Sequence, residues 1–345
     1  MDVLFEVLGF AGKALVVFVT FAACAFVLAG LLASRRGRGG ERGRLWVHHL
    51  NDELEAKADA LRSMLMAPKE FKAYLKAKKK QLQRSLKEGT PSREDKVFVL
   101  DFKGDLMATG VDSLRDEVTA LLRVARPRDE VVVRLESPGG AAHSYGFAAA
   151  QLARVTSAKV PLTVCVDRVA ASGGYMMACV ADKIVASPFA IVGSIGVAAP
   201  LPNVHRLLDR IGVEYENATA GRYKRTVSPF TPQDPEGRKK FQEEIEEVHT
   251  HFKDFVKANR PNLDVDAVAT GESWQAIRAA ELGLVDELMT SDDYLVGKLE
   301  QADLFEVRYE RSKGVRERLT SAVSAFAGEV VDRVAAARRL SLIHI

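Results

Sequence analysis

Cysteine is scarce in this chain of 345 residues: three in all, Cys24, Cys165 and Cys179. They lie far apart in apolar surroundings, without metal-ligand spacing. That excludes a disulfide framework or a zinc site and leaves three small buried hydrophobes. Excess charge is also missing, for the net value is +3. So near neutrality, the chain gives no case for nucleic acid as a partner. No P-loop Gly-x-x-x-x-Gly-Lys-Ser/Thr occurs, so no nucleotide is implied, nor is any other cofactor or a metal. Solenoid-type repeats are absent, and so is the Gly-x-Ser-x-Gly nucleophile elbow.

What charge there is has been placed unevenly. Positions 34–44 hold Arg35, Arg36, Arg38, Arg42 and Arg44 against Glu41 alone. Positions 69–87 hold Lys69, Lys72, Lys76, Lys78, Lys79, Lys80, Arg84 and Lys87 against Glu70 alone. Ahead of both, Ala14 to Ala33 is uncharged throughout. As a helix that run would span about 30 Å, the thickness of a bilayer core. A signal peptide would have a shorter apolar region and a small-residue cleavage site, whereas arginines follow here at once. The expectation is an uncleaved single-pass anchor contacting the lipid bilayer through residues 14–33. Five arginines after the span favour a cytoplasmic body by the positive-inside rule.

Four regions follow from composition. Residues 1–33 carry the anchor, and 34–95 form a basic helical juxtamembrane segment closed by a turn-rich linker from Glu88 to Asp95. Its lysines suit anionic lipid headgroups, or equally a solvated helical face. Residues 96–310 form the main folded body, and 311–345 an amphipathic tail too interrupted by charge to cross a membrane a second time.

Within the body, apolar strands are predicted at Val97–Phe102, Val131–Leu135, Leu162–Val166 and Lys183–Ala186. They alternate with helices at Asp112–Ala125, His143–Val155 and Ser172–Ala181. This is the pattern of parallel sheet covered by helices, an α/β class. A long charged helix at Arg238–Asn259 follows, then shorter ones near Val265–Ala269 and Trp274–Leu282.

One turn stands out for chemistry. Ser172, in Arg168-Val-Ala-Ala-Ser-Gly-Gly-Tyr175, joins an apolar strand to a small-residue helix. A hydroxyl there sits at the positive end of the helix dipole. Gly173 lets a substrate carbonyl approach the backbone and offers its N–H to an oxyanion. An ordinary N-cap serine followed by close-packing glycines would read the same way. Ser137-Pro-Gly-Gly140 occupies the corresponding place after the preceding strand, where Gly139 or Gly140 could give a second donor or simply make a turn. Of seven histidines, only His143 and His205 are placed to act as a base, and neither has an obvious acid to orient it. A lysine is the alternative: its usual pKa of about 10.4 falls by several units in an apolar pocket away from carboxylates. Lys224 lies in Ala220-Gly-Arg-Tyr-Lys-Arg225, with no acid between Glu216 and Asp234. By itself it could equally be a surface charge.

Together these residues resemble the serine–lysine peptidases of the signal peptide peptidase A group, its SohB branch in particular. The likeness is carried by Arg134-Leu-Glu-Ser-Pro-Gly-Gly140, Val169-Ala-Ala-Ser-Gly-Gly-Tyr-Met-Met-Ala178, Gly193-Ser-Ile-Gly-Val197, Ala220-Gly-Arg-Tyr-Lys-Arg225 and Ala279-Ala-Glu-Leu-Gly-Leu-Val-Asp286. It covers about Lys96 to Glu310. The resemblance implies a ClpP/crotonase-like spiral of strand–strand–helix units. It matches Ser172 to the nucleophile, Lys224 to the general base and Ser194 to a serine that orients the lysine. Gly173, Gly139 and Gly140 match the oxyanion hole. It further implies hydrolysis of peptide bonds in signal-peptide remnants or unfolded membrane and envelope polypeptides, with small or aliphatic side chains before the cut. A homo-oligomeric ring in the bacterial inner membrane belongs to the same picture, its body on the periplasmic side, against the charge bias. Two other classes stay open: a crotonase-type acyl-CoA enzyme, which shares the fold, and a catalytically idle oligomeric scaffold.

Overall fold

Val97, Phe98, Val99, Leu100 and Phe102 are all buried, which makes Asp95–Lys103 a strand with both faces covered. In the computed structural model, which describes residues 43–87 and 93–311, that segment is β2, preceded by β1 (Arg44–His49), α1 (Leu50–Leu65) and α2 (Pro68–Lys87). There follow α3 (Val111–Leu121), β3 (Glu130–Glu136), α4 (Ala142–Ser157), β4 (Leu162–Val166), β5 (Val169–Ala171) and α5 (Gly173–Ala178). Next come β6 (Lys183–Ala186), β7 (Ile191–Gly193), α6 (His205–Arg210) and α7 (Pro235–Asn259). The last elements are α8 (Val265–Val268), β8 (Ser273–Gln275), α9 (Ala276–Glu281), β9 (Glu287–Leu288), α10 (Ser291–Lys298) and β10 (Ala302–Glu310).

The larger sheet runs β1-β10-β2-β3-β4-β6-β9, with parallel pairing from β10 through to β9. Period-two alternation divides its side chains between two cores. Phe98, Leu100 and Phe102 join Leu114, Val118, Leu152, Val155 and Tyr175 on the face covered by α3, α4 and α5. Val97 and Val99 join Val132, Cys165, Leu304, Tyr294 and Leu295 on the other. β4 is buried at every position, as a strand with both faces covered should be. A second sheet, β5-β7-β8, is built from short strands that follow the long ones. Two long–short pairs recur in order, β4 with β5 and β6 with β7, and the chain after β3 bridges to β5 at Ser137. The chain is thus a mixed α/β fold.

Several expectations shift. Arg44–His49 is strand, not the start of a charged helix, because pairing beside β10 overrides local preference. The helical segment then breaks at Met66 into α1 and α2. Their contact is polar: Tyr74, Arg62 and Lys78 converge on Glu55 and Asp59. Trp274 lies in β8 rather than opening a helix. α7 starts earlier, at Pro235, where Asp234 caps it by accepting from Gly237 N–H at 2.7 Å. The apolar run 14–33, most of the linker 88–95 and the tail from 312 lie outside the described residues. Among the described residues no helix is long and apolar enough to cross a membrane.

Candidate active site

The short sheet brings three chain segments side by side. Ser137 bridges Ala170 in parallel, with Ser137 N–H donating to Val169 O at 2.8 Å and Ala171 N–H to Ser137 O at 3.0 Å. On the far side of β5, Ala171 pairs with Gly193 of β7. Ser172 and Ser194 therefore each stand one residue beyond the last registered pair, on neighbouring strand ends about 4.8 Å apart. Ser172 N–H donates to Gly193 O at 2.8 Å, and Ser194 N–H to Glu272 O at 2.6 Å.

Both serines carry left-handed backbone, φ 52° at Ser172 and φ 54° at Ser194. Side chains avoid that region, and residues forced into it gather at functional turns. At Ser172 the strain accompanies a change of direction: the chain leaves β5 and enters α5 at once. A strained strand-to-helix serine turn of this kind projects its hydroxyl outward, here without the usual Gly-x-Ser-x-Gly pattern.

Gly139 lies against this turn. Its φ is +88°, and a Cβ there would come within 2.7 Å of Gly173 N and of Ser172 Cβ. A Cβ on Gly173 would run into the ring of Tyr145, and one on Gly174 would lie 2.5 Å from Ser137 O. Only glycine lets the three segments close up. Two N–H groups then remain unclaimed at the mouth of the turn. Gly173 opens α5, so its N–H has no intrahelical acceptor. Gly140 N–H makes no hydrogen bond among the described residues, whereas Gly139 N–H donates to Ser137 Oγ at 3.1 Å.

Lys224 is placed differently. It is exposed in the irregular stretch between α6 and α7, with its N–H on Gly221 O at 3.2 Å. Neither its amine nor the Ser172 hydroxyl makes a hydrogen bond or ion pair among the described residues. Between β7 and α7 the chain exposes apolar side chains, Leu207 on α6 at 55%, Ile211 at 61% and Tyr223, next to Lys224 in sequence, at 44%. Of the two histidines considered, His143 is exposed on α4, and His205 faces Asp209 one helical turn on at 3.2 Å. The sequence reading missed that acid, although its i+4 spacing from His205 was the signal for it.

Burial pushes the Cys165 and Cys179 thiols up to about 12, so both are inert core groups. Among the described residues no cluster of His, Cys, Asp and Glu could hold a metal ion. Sequence reasoning also missed Tyr145, which is fully buried beneath Gly173. Its only signal was an aromatic residue on the inward face of α4, where core packing is the ordinary explanation.

Known proteins resemble this chain over most of its length. "Probable protease SohB" of Haemophilus influenzae is 44% identical over 317 residues, covering 89% of this chain and 90% of its own. A family model described as peptidase family S49 matches residues 154–305, and one described as peptidase family S49 N-terminal matches residues 2–152. The chain belongs to peptidase family S49. Within S49 it is of the SohB type: a second relative of that name, from Buchnera aphidicola, is 47% identical over 243 residues, with 70% of this chain and 72% of the relative covered. Among solved structures, a membrane-bound stomatin-specific protease in complex with a substrate peptide aligns over 67% of this chain and 98% of its own. Its identity is 14% and its TM-score 0.42. As an S49 chain the protein is a protease.

Proposed function

We propose that this S49 protease is a serine endopeptidase in which Ser172 attacks the peptide carbonyl and neutral Lys224 accepts its proton. The observation that carries the proposal is the strained Ser172 turn, set between the free N–H groups of Gly173 and Gly140. Two donors beside a nucleophile suit the oxyanion of a tetrahedral intermediate, and Gly140 rather than Gly139 supplies the second. As the tetrahedral intermediate collapses, the C–N bond breaks and the Lys224 ammonium gives the proton taken from Ser172 to the leaving amine; water activated through the again neutral lysine then hydrolyses the acyl-Ser172 ester. Ser194, on the strand end beside Ser172, holds the lysine amine in line.

Lys224 has to come off the surface for this. The exposed apolar side chains between β7 and α7, Tyr223 next to Lys224 among them, are the part of the body that a second copy of the chain would cover, desolvating the amine as it does so. Homo-oligomeric assembly is therefore part of the proposal, as is anchoring to the bacterial inner membrane through the apolar run 14–33. The substrates are signal-peptide remnants or unfolded envelope polypeptides, whose extended backbone can reach a turn at a strand end.

An acylating or phosphonylating serine probe tests the assignment. Peptide mapping of the labelled wild type should place the adduct on Ser172, and Ser172→Ala should take no label. An adduct on another serine, with Ser172 unmodified, contradicts it.

A further inference from the structure

Eight residues beyond Ser137, Tyr145 points its hydroxyl back at the Ser-Pro-Gly-Gly turn. Tyr145 and Ser137 are both fully buried, and their hydroxyl oxygens lie 2.6 Å apart. Proton counting fixes the direction of each hydrogen bond around them. The Tyr145 hydroxyl donates to Asp105 O at 2.8 Å, and a phenol has one proton to give. Toward Ser137 it can only accept. The Ser137 hydroxyl therefore donates to Tyr145, and its lone pairs take the Gly139 N–H at 3.1 Å. One chain results, Gly139 N–H to Ser137 to Tyr145 to the Asp105 carbonyl, with every donor pointing the same way. Burial raises the Tyr145 phenol above its usual range, which keeps that proton in place.

The consequence falls on Gly140. The peptide before it is anchored by Gly139 N–H on Ser137, and the peptide after it by Ala141 N–H on Leu106 O at 2.8 Å. The free Gly140 N–H is thus held between two fixed neighbours. Asp105 and Leu106, which accept at the two ends, belong to one loop. Below the other donor, the Tyr145 ring fills the space a Gly173 side chain would need. One aromatic residue therefore touches the supports of both donors. The molecule keeps room for it, since a Cβ on Gly104 would overlap the Ser137 and Tyr145 oxygens together.

We infer that Ser137 and Tyr145 are positioning residues for peptide hydrolysis, aligning the Gly140 and Gly173 N–H groups with the developing oxyanion through this one-directional chain. The role rests on Ser172 being the nucleophile, as proposed above. A satisfied pair of core hydroxyls would support folding equally well, so the test must read the chemical step rather than stability.

The experiment is a double-mutant cycle in the full-length protein: wild type, Tyr145→Phe, Ser137→Ala and both together, assayed on a fluorogenic peptide with melting temperatures recorded. Each single variant should lose about 10- to 100-fold in kcat, less than outright removal of an oxyanion donor costs, because the donor is displaced and not deleted. KM should stay within about threefold of wild type, since an oxyanion exists only in the transition state. The double variant should be no slower than the worse single one, because both changes cut the same chain. Wild-type kcat in Tyr145→Phe, losses that multiply in the double variant, or a loss confined to KM would overturn the role. Should Tyr145→Phe melt below the assay temperature, Ser137→Ala carries the same expectation and the same refutation. A parallel Ser172→Ala control separates the two ideas. If it is inactive while Tyr145→Phe is unimpaired, only the positioning role fails; if Ser172→Ala remains active, the nucleophile assignment fails and takes the positioning role with it.

Discussion

Glu117 is a carboxylic acid in the wrong place for its charge, and its removal should change how stability depends on pH. It sits on α3, only 4% exposed, and accepts from the Tyr309 N–H at 2.7 Å near the end of β10. Burial is the main cause that lifts its pKa from the usual 4.5 to about 7, with Asp101 adding repulsion and the Tyr309 N–H and Arg308 pulling the other way. The folded state therefore holds a proton that the unfolded chain gives up above 4.5. Stability from this group is complete below 4.5 and is lost as pH rises through about 7. At about 1.4 kcal/mol for each tenfold change in proton affinity, the gap amounts to roughly 3 kcal/mol. Glu117→Gln keeps an oxygen for Tyr309 and cannot ionise. Urea unfolding of both proteins, followed by the fluorescence of Trp46 and Trp274, isolates the effect, since all other titrating groups are common to the two. At pH 5 the two should agree within about 1 kcal/mol, the size of one hydrogen-bond rearrangement. At pH 8 the variant should be the more stable by roughly 3 kcal/mol. A difference that stays constant between the two pH values would refute the reasoning.

Two further outcomes concern catalysis. Gly173→Ala drives a methyl group into the buried Tyr145 ring. It should cost about 1–3 kcal/mol in stability and, by moving an oxyanion donor, about 100-fold or more in kcat; wild-type kcat in a folded variant would show that the close approach is not needed. Lys224→Arg keeps the positive charge but leaves no neutral amine to accept a proton, so cleavage should fall to background in the folded, assembled variant, and wild-type turnover would argue for a different base.

Much of the fold could be read from the chain because its signals are local. Leu162–Val166 is an unbroken apolar run between turns, and the structure makes it strand over the same residues. Helix Ala142–Ser157 exceeds its expected bounds by only a residue or two at each end. The three-residue strands Val169–Ala171 and Ile191–Gly193 are too short to show a period, and exist because they pair with each other. The left-handed backbone of Ser172 and Ser194 is likewise set by that pairing, since nothing in the residue type calls for it. The turn at Ser172 and the two glycines before the next helix were visible as a pattern. The hydrogen-bond chain behind them was not: Asp105 and Tyr145 are forty residues apart in sequence, and the tyrosine hydroxyl occupies space that a side chain at Gly104 would fill. Lys224 stands apart from both cases. Its environment gives it no distinction in a single copy of the chain, and resemblance alone singled it out.

The most direct measurement is cleavage of an unstructured fluorogenic peptide by the purified full-length protein, comparing wild type with Ser172→Ala and Lys224→Ala. The account predicts turnover by the wild type and none above background by either variant, with melting behaviour and assembly unchanged. Equal turnover by all three would contradict it, and would place the hydrolysis somewhere other than the strained serine turn.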